Sequence, residues 1–117
     1  MLNTNQTAMK SDEDKLNETF AALANSTRRA ILARLAQGEA TVNEIAEPFD
    51  MSLPAISKHI KVLETCELIE IVQGSGDGRQ RQCFARLDAL IEVSEYIDRL
   101  REFWRDKLDG LGEYLNE

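Results

Sequence analysis

Apolar residues recur along this chain at helical spacing, pause over a central stretch, and then resume. Leu16, Phe20 and Leu23 share one helical face, and Ile31, Leu32 and Leu35 define a second helix. Ile56, Ile60 and Leu63, with Leu53 beside them, form a third stripe. The pattern changes over Leu68 to Gln73, rich in branched residues, and over Gln80 to Leu87, which mixes polar and apolar positions. Both read as strands. Helical spacing returns at Leu90, Val93, Ile97, Leu100, Trp104, Leu108, Leu111 and Leu115, a stripe of about seven turns that Phe103 widens.

Cap and breaker residues place the boundaries. Ser11 before Asp12, Glu13 and Asp14 starts a helix, with acids at the positive end of its dipole. Asn25-Ser26 ends that helix and caps the next, which Gly38 terminates. Thr41 with Glu44 is a capping box, and Pro48 keeps the helix it opens short. Ser52 caps the following helix, where Pro54 is tolerated in the first turn. Gly74-Ser75-Gly76-Asp77-Gly78 is a hairpin tip between the strands, and Asp88 is expected to cap the last helix.

A short helix bracing a second one across Thr41 to Glu64 is the layout of a helix-turn-helix, and a β-hairpin directly after the second helix is a wing. The predicted fold is mainly α with a β-hairpin wing: a winged helix-turn-helix of five helices. Residues 1–10 are expected to be a disordered tail, and residues 11–117 a single DNA-binding and dimerisation domain. The last apolar stripe is longer than so small a domain can cover, so a homodimer through the terminal helices is expected. Phe20, Leu100, Phe103, Trp104, Leu108 and Leu111 are its interface candidates.

Charge complicates a DNA partner, because the 117 residues carry a net −7. Its distribution reduces the objection. Residues 1–51 sum to −3 and residues 87–117 to −5, whereas residues 52–86 sum to +1. Local phosphate contacts with steep salt sensitivity are therefore expected. No run of about 18 apolar residues suggests a membrane span, and the N-terminus lacks a signal-peptide pattern. With only two cysteines, Cys66 and Cys83, the expected setting is reduced and cytoplasmic.

The motifs resemble those of the ArsR family of bacterial winged-helix repressors. LANSTRRAIL at 23–32 resembles the family's opening motif, with Asn25 and Ser26 in place of the commoner Asp and Pro. MSLPAISKHIKVLETCELI at 51–69 is similar to its recognition-helix motif, departing at Thr65-Cys66-Glu67, where a small residue and Gly are usual. GDGRQRQCFARL at 76–87 fits the wing, and REFWRDKLDGLGEYL at 101–115 resembles the closing helix of a branch without metal sites. VNEIAE carries no CxC and the last helix no histidine, so a metal-sensing role is not implied; no metal or cofactor is expected.

Ser52, Ala55, Ser57, Lys58 and Lys61 are the candidate DNA contacts on the recognition helix. At 100° per residue Lys58 points opposite the apolar stripe and can serve phosphate or a guanine edge. Ala55 can touch a thymine methyl, and the serines can bond phosphates; the bland alternative is a solvated face with Ser52 as cap only. His59, the only histidine, has two open readings: a residue near DNA or a buried, hydrogen-bonded one. Arg79 and Arg81 are candidates for a minor groove or phosphate row, against solvated strand residues pairing with Glu70. One of Arg28 and Arg29 is expected in a structural ion pair, with contact to backbone phosphate as the alternative. Cys66 and Cys83 read as small apolar fillers, or as a thiol switch that re-aims the wing.

Other classes fare worse. No nucleophile–base spacing stands out, and the Gly-rich tip lacks the following helix with Lys that a phosphate cradle needs, so an enzyme is not expected. A protein-binding winged-helix scaffold is the alternative that the −7 charge favours. No inducer is implied by any residue pattern.

Overall fold

The computed structural model describes residues 10–74 and 80–115, with side chains through Leu111. Its elements are α1 (Asp12–Leu23), α2 (Ser26–Leu35), β1 (Ala40–Thr41), α3 (Val42–Ala46), α4 (Leu53–Thr65), β2 (Ile69–Gln73), β3 (Arg81–Ala85) and α5 (Asp88–Leu115). The expected tip residues Ser75–Gly78, Arg79 and the expected tail over residues 1–9 lie outside the described residues. Lys10 pairs with Glu18 at 2.8 Å.

The helix starts follow from their caps. Ser11 Oγ accepts from the Asp14 N–H at 3.0 Å, and Asn25 Oδ1 from the Arg28 N–H at 3.1 Å. Thr41 and Glu44 complete a reciprocal box, with the Thr41 N–H donating to Glu44 Oε1 at 2.8 Å and the Glu44 N–H to Thr41 Oγ1 at 3.1 Å. These bonds hold the Glu44 carboxyl below its usual range, the Thr41 N–H contributing most. After α2, Gly38 adopts φ +140°, a conformation in which a side chain is strained, and its N–H reaches Leu35 O at 3.1 Å.

The core lies where α2, α3 and α4 meet the sheet. Ile31, Ile45, Ile56, Leu63, Leu68, Ile69 and Cys83 are fully buried, and each large aliphatic side chain contributes about 1.5–3 kcal/mol by leaving water. Phe49, in the turn after α3, packs against this cluster and seats the turn. Among the described residues no buried side-chain polar atom lacks a partner.

Several expectations need correction. The sheet has three strands in the order β1-β3-β2, not a hairpin alone, with Ala40 opposite Cys83 and Thr41 opposite Gln82. On α1 the buried residues are Thr19 and Ala22, while Leu16 and Leu23 are half-buried and Phe20 is exposed. The apolar line on α1 turns toward α5, where the Phe20 ring meets Tyr96 edge-on at 5.7 Å. Leu53 is exposed, because the first turn of α4 projects past the core. Asp88 is the first residue of α5 rather than its cap: the Ile91 N–H bonds to Leu87 O at 3.1 Å, and Asp88 accepts from Arg86 at 3.5 Å.

Candidate nucleic-acid interface

Helix α4 owes its position to its ends and its buried stripe. Ser52 Oγ accepts from the Ala55 N–H at 3.2 Å, and Pro54 lies in the first turn, where no intrahelical donor is needed. Ile56, Ile60 and Leu63 are buried, so the opposite face is turned outward. Ser52, Ser57, Lys58 and Lys61 are exposed there, and Ala55 is half-buried. Ser52 therefore acts as a cap while remaining accessible. Among the described residues no carboxylate pairs with Lys58, whereas Lys61 lies 3.5 Å from Glu64. That pair is exposed and weak, so a phosphate can compete for the lysine.

The wing meets α4 on the side that carries Ser57 and Lys61. In the β2–β3 ladder Gln73 stands opposite Arg81 and Ile71 opposite Cys83. Alternation puts Arg81 on the same face as the buried Cys83, one step beyond the core edge. Ser57, Lys61 and Arg81 consequently line one shallow cleft of about 90 Å³, together with Val42, Ile60, Glu64 and Ile71. Glu70 stands opposite Phe84, so the suggested Glu70–Arg81 pair does not form. At the base of the hairpin, a Cβ on Gly74 would lie 2.7 Å from Gln80 O, which explains the glycine there.

His59 faces the other flank. It is half-buried, and its Nδ1 lies 3.2 Å from an Arg28 guanidinium nitrogen. Arg28 also donates from Nε to Ala22 O at 2.8 Å and from its second terminal nitrogen to Ala21 O at 3.2 Å. Arg29 donates to Leu23 O at 2.7 Å. The expected arginine ion pair is thus absent among the described residues. Both guanidiniums cap carbonyls at the C-terminal end of α1, a favourable place for positive charge. No residue type marks these partners in the sequence, because all of them are backbone carbonyls.

The two thiols engage different neighbours. Cys66 Sγ donates to Glu18 O at 3.5 Å, at the end of α4, while Cys83 is enclosed by the sheet. Burial pushes both thiols up from their ordinary range. Among the described residues no group of three His, Cys, Asp or Glu side chains is placed to hold a metal ion.

Helix α5 is buried at Val93, and beyond it Ile97, Leu100, Phe103, Trp104, Leu108 and Leu111 are exposed on the single chain. Phe103 and Trp104 meet edge-on at 5.9 Å.

A helix-turn-helix whose second helix turns a polar face outward beside a β-hairpin defines a winged helix-turn-helix DNA-binding protein. Residues 23–72 match a helix-turn-helix domain family. The chain is 47% identical over 102 residues to the HTH-type transcriptional regulator Rv2034 of Mycobacterium tuberculosis, spanning 86% of this chain and 88% of that protein. It is 43% identical over 54 residues to the transcriptional repressor SdpR of Bacillus subtilis, spanning 46% of this chain and 60% of that one. The crystal structure of an ArsR family transcriptional regulator, RHA00566, superposes with a TM-score of 0.72 at 40% identity, over 83% of this chain and 97% of that one. The chain belongs to the ArsR family of winged helix-turn-helix transcriptional regulators, and it is a regulator rather than an enzyme.

Proposed function

We propose that the protein is a repressor that binds a pseudo-palindromic operator as a homodimer, with α4 of each subunit in a major groove. The observation that carries this reading is the outward face of α4. Lys58, which has no carboxylate partner among the described residues, stands opposite the buried stripe, and Ser57 and Lys61 share a cleft with Arg81 of the wing. In this reading Ser52 and Ser57 bond phosphates, Ala55 meets a base edge, and Lys58 reads a guanine edge or holds phosphate. Lys61 and Arg81 hold the backbone beside the wing. Arg79, outside the described residues, is a further proposed phosphate contact.

The dimer is supported by the exposed stripe on α5, which Phe20 borders through its contact with Tyr96. Twofold pairing would cover it and set two copies of α4 about one helical turn of DNA apart. A dimer seated across a promoter blocks polymerase, and a repressor is also what SdpR is named as. No helix among the described residues is long and apolar enough to cross a membrane. We place the protein in the cytoplasm, where its DNA lies.

The test is a mobility-shift titration, across salt concentrations, on a duplex spanning the region upstream of its own gene. Wild type is expected to bind with a steep salt dependence. Lys58→Ala and Arg81→Ala are each expected to weaken binding, and a phosphate role lowers the salt slope by about 1 per contact. A wild-type protein with no affinity for that duplex but a stable protein partner would favour the scaffold reading.

A further inference from the structure

Arg28 joins three helices at one point. It stands near the start of α2, bonds two carbonyls at the end of α1, and reaches His59 on α4. Each of its three nitrogens has a partner, so the guanidinium is held from three sides. A guanidinium only donates. The bond at His59 Nδ1 therefore requires the imidazole to accept there, which leaves its proton on Nε2. Close by, Thr27 Oγ1 contacts Met51 Sδ at 3.9 Å, a second link between α2 and the turn that leads into α4.

We propose that His59 serves DNA binding as a positioning residue acting through Arg28, and not as a DNA contact. The inference rests on the DNA-binding reading of α4 and says how that helix is aimed. Apolar packing at Ile56, Ile60 and Leu63 sets which face of α4 turns outward, and the directional Arg28–His59 bond adds a further constraint on its fine rotation from one flank. A rotation of about 10° displaces a side-chain tip some 6 Å from the axis by roughly 1 Å, enough to spoil a hydrogen bond to a base edge. The Arg28–His59 bond lies about 100° around the helix from Lys58, off the outward face, where it resists that rotation. Its anchor, in turn, is the end of α1, which rests on α5 through Phe20 and Tyr96.

Asparagine and glutamine separate the two roles. Asparagine places its oxygen where Nδ1 stands and offers nothing at the Nε2 position; glutamine does the reverse. For a positioning residue, His59→Asn is expected to keep operator affinity within about threefold. His59→Gln and Arg28→Lys are each expected to lose about tenfold, the loss of one charge-assisted bond. The double variant Arg28→Lys/His59→Gln is expected to be no weaker than either single one, since both remove the same link. Binding is measured well below each variant's melting temperature on the same upstream duplex. The ring itself gives a readout without DNA: as the chain has one histidine, its imidazole ¹⁵N signals belong to His59. In wild type the Nδ1 signal is expected to be that of an unprotonated, hydrogen-bonded nitrogen, and Arg28→Lys is expected to move it toward the free-imidazole position.

Retained affinity in His59→Gln with loss in His59→Asn would overturn the proposal alone and make His59 a DNA contact. So would additive losses in the double variant, or an Nδ1 signal indifferent to Arg28. Absence of wild-type binding would sink the DNA-binding reading along with it, and the first titration detects that separately.

Discussion

Leu68 and Leu63 are joined by a backbone hydrogen bond of 2.9 Å that wraps around the end of α4. A second bond, from the Glu67 N–H to Glu64 O at 2.9 Å, completes a Schellman cap, and Glu67 sits at φ 62° between them. This is the left-handed conformation that glycine adopts freely, and it stands where the family's motif usually has Gly. An L-residue there loses about 1–2 kcal/mol, part of which a glycine returns through its more flexible unfolded chain. Glu67→Gly is therefore expected to stabilise the fold by about 0.5–1 kcal/mol in urea melts at fixed protein concentration. A destabilised variant would mean that the Glu67 side chain makes a compensating contact.

The capping box predicts a pH signature. Thr41→Ala removes the acceptor for the Glu44 N–H and is expected to destabilise the protein by about 1 kcal/mol, whereas Thr41→Ser keeps the box. Glu44's folded pKa is depressed, chiefly by the Thr41 N–H. Its contribution to stability is therefore present above the unfolded value of about 4.3 and is lost as pH falls through the lower folded one. Glu44→Gln is expected to flatten that acid limb of the stability profile. The check is paired melts of wild type and variant from neutral pH downward; parallel curves would contradict the assignment.

Much of this arrangement was legible in the sequence because it rests on local chemistry. The caps at Ser11, Asn25, Thr41 and Ser52 each satisfy a donor three residues on, and such bonds depend on residue type and spacing alone. The stripe of α4 was readable for the same reason. What escaped was set by distant neighbours. Ala40–Thr41 is too short to show a strand period, and becomes a strand only because β3 offers its free edge. Thr19 is buried on α1 because its hydroxyl bonds back to Lys15 O at 3.0 Å, which hides its polarity. The partners of Arg28 and Arg29 are carbonyls, and backbone acceptors carry no mark in a sequence. For the candidate interface, the outward face of α4 was foreseen, but the shared cleft of Ser57, Lys61 and Arg81 depends on the wing's register.

The exposed stripe of α5 makes the next expectation specific. Leu108 is 61% exposed on the single chain, so a polar substitution should not disturb the subunit's own core. Leu108→Asp would place a charge in a twofold apolar interface, where it has no partner. Sedimentation equilibrium is expected to show the dimer weakened toward monomer, with the circular dichroism spectrum kept and operator affinity reduced. A dimer that survives both Leu108→Asp and Trp104→Asp would place the interface elsewhere.

The cysteines offer a choice between two readings that chemistry can make. A thiolate is the reactive form, and burial raises both Cys66 and Cys83 above the ordinary thiol range, so neither is activated at neutral pH. Cys66 is half-buried with its Sγ on Glu18 O, and Cys83 is held between Ala40 and Ile71 in the sheet. With different surroundings and no activation, a disulfide between them is not expected to form in the folded protein. Alkylation of native protein should label Cys66 slowly and spare Cys83 until denaturant is added. Operator affinity should be the same with reductant and with a mild thiol oxidant, and in the Cys66→Ser variant. Cys83→Ser is the contrasting case: a hydroxyl in that apolar site lacks the partner it needs and should lower stability by about 1–3 kcal/mol. An oxidant-dependent loss of affinity that Cys66→Ser abolishes would instead establish the thiol as a switch.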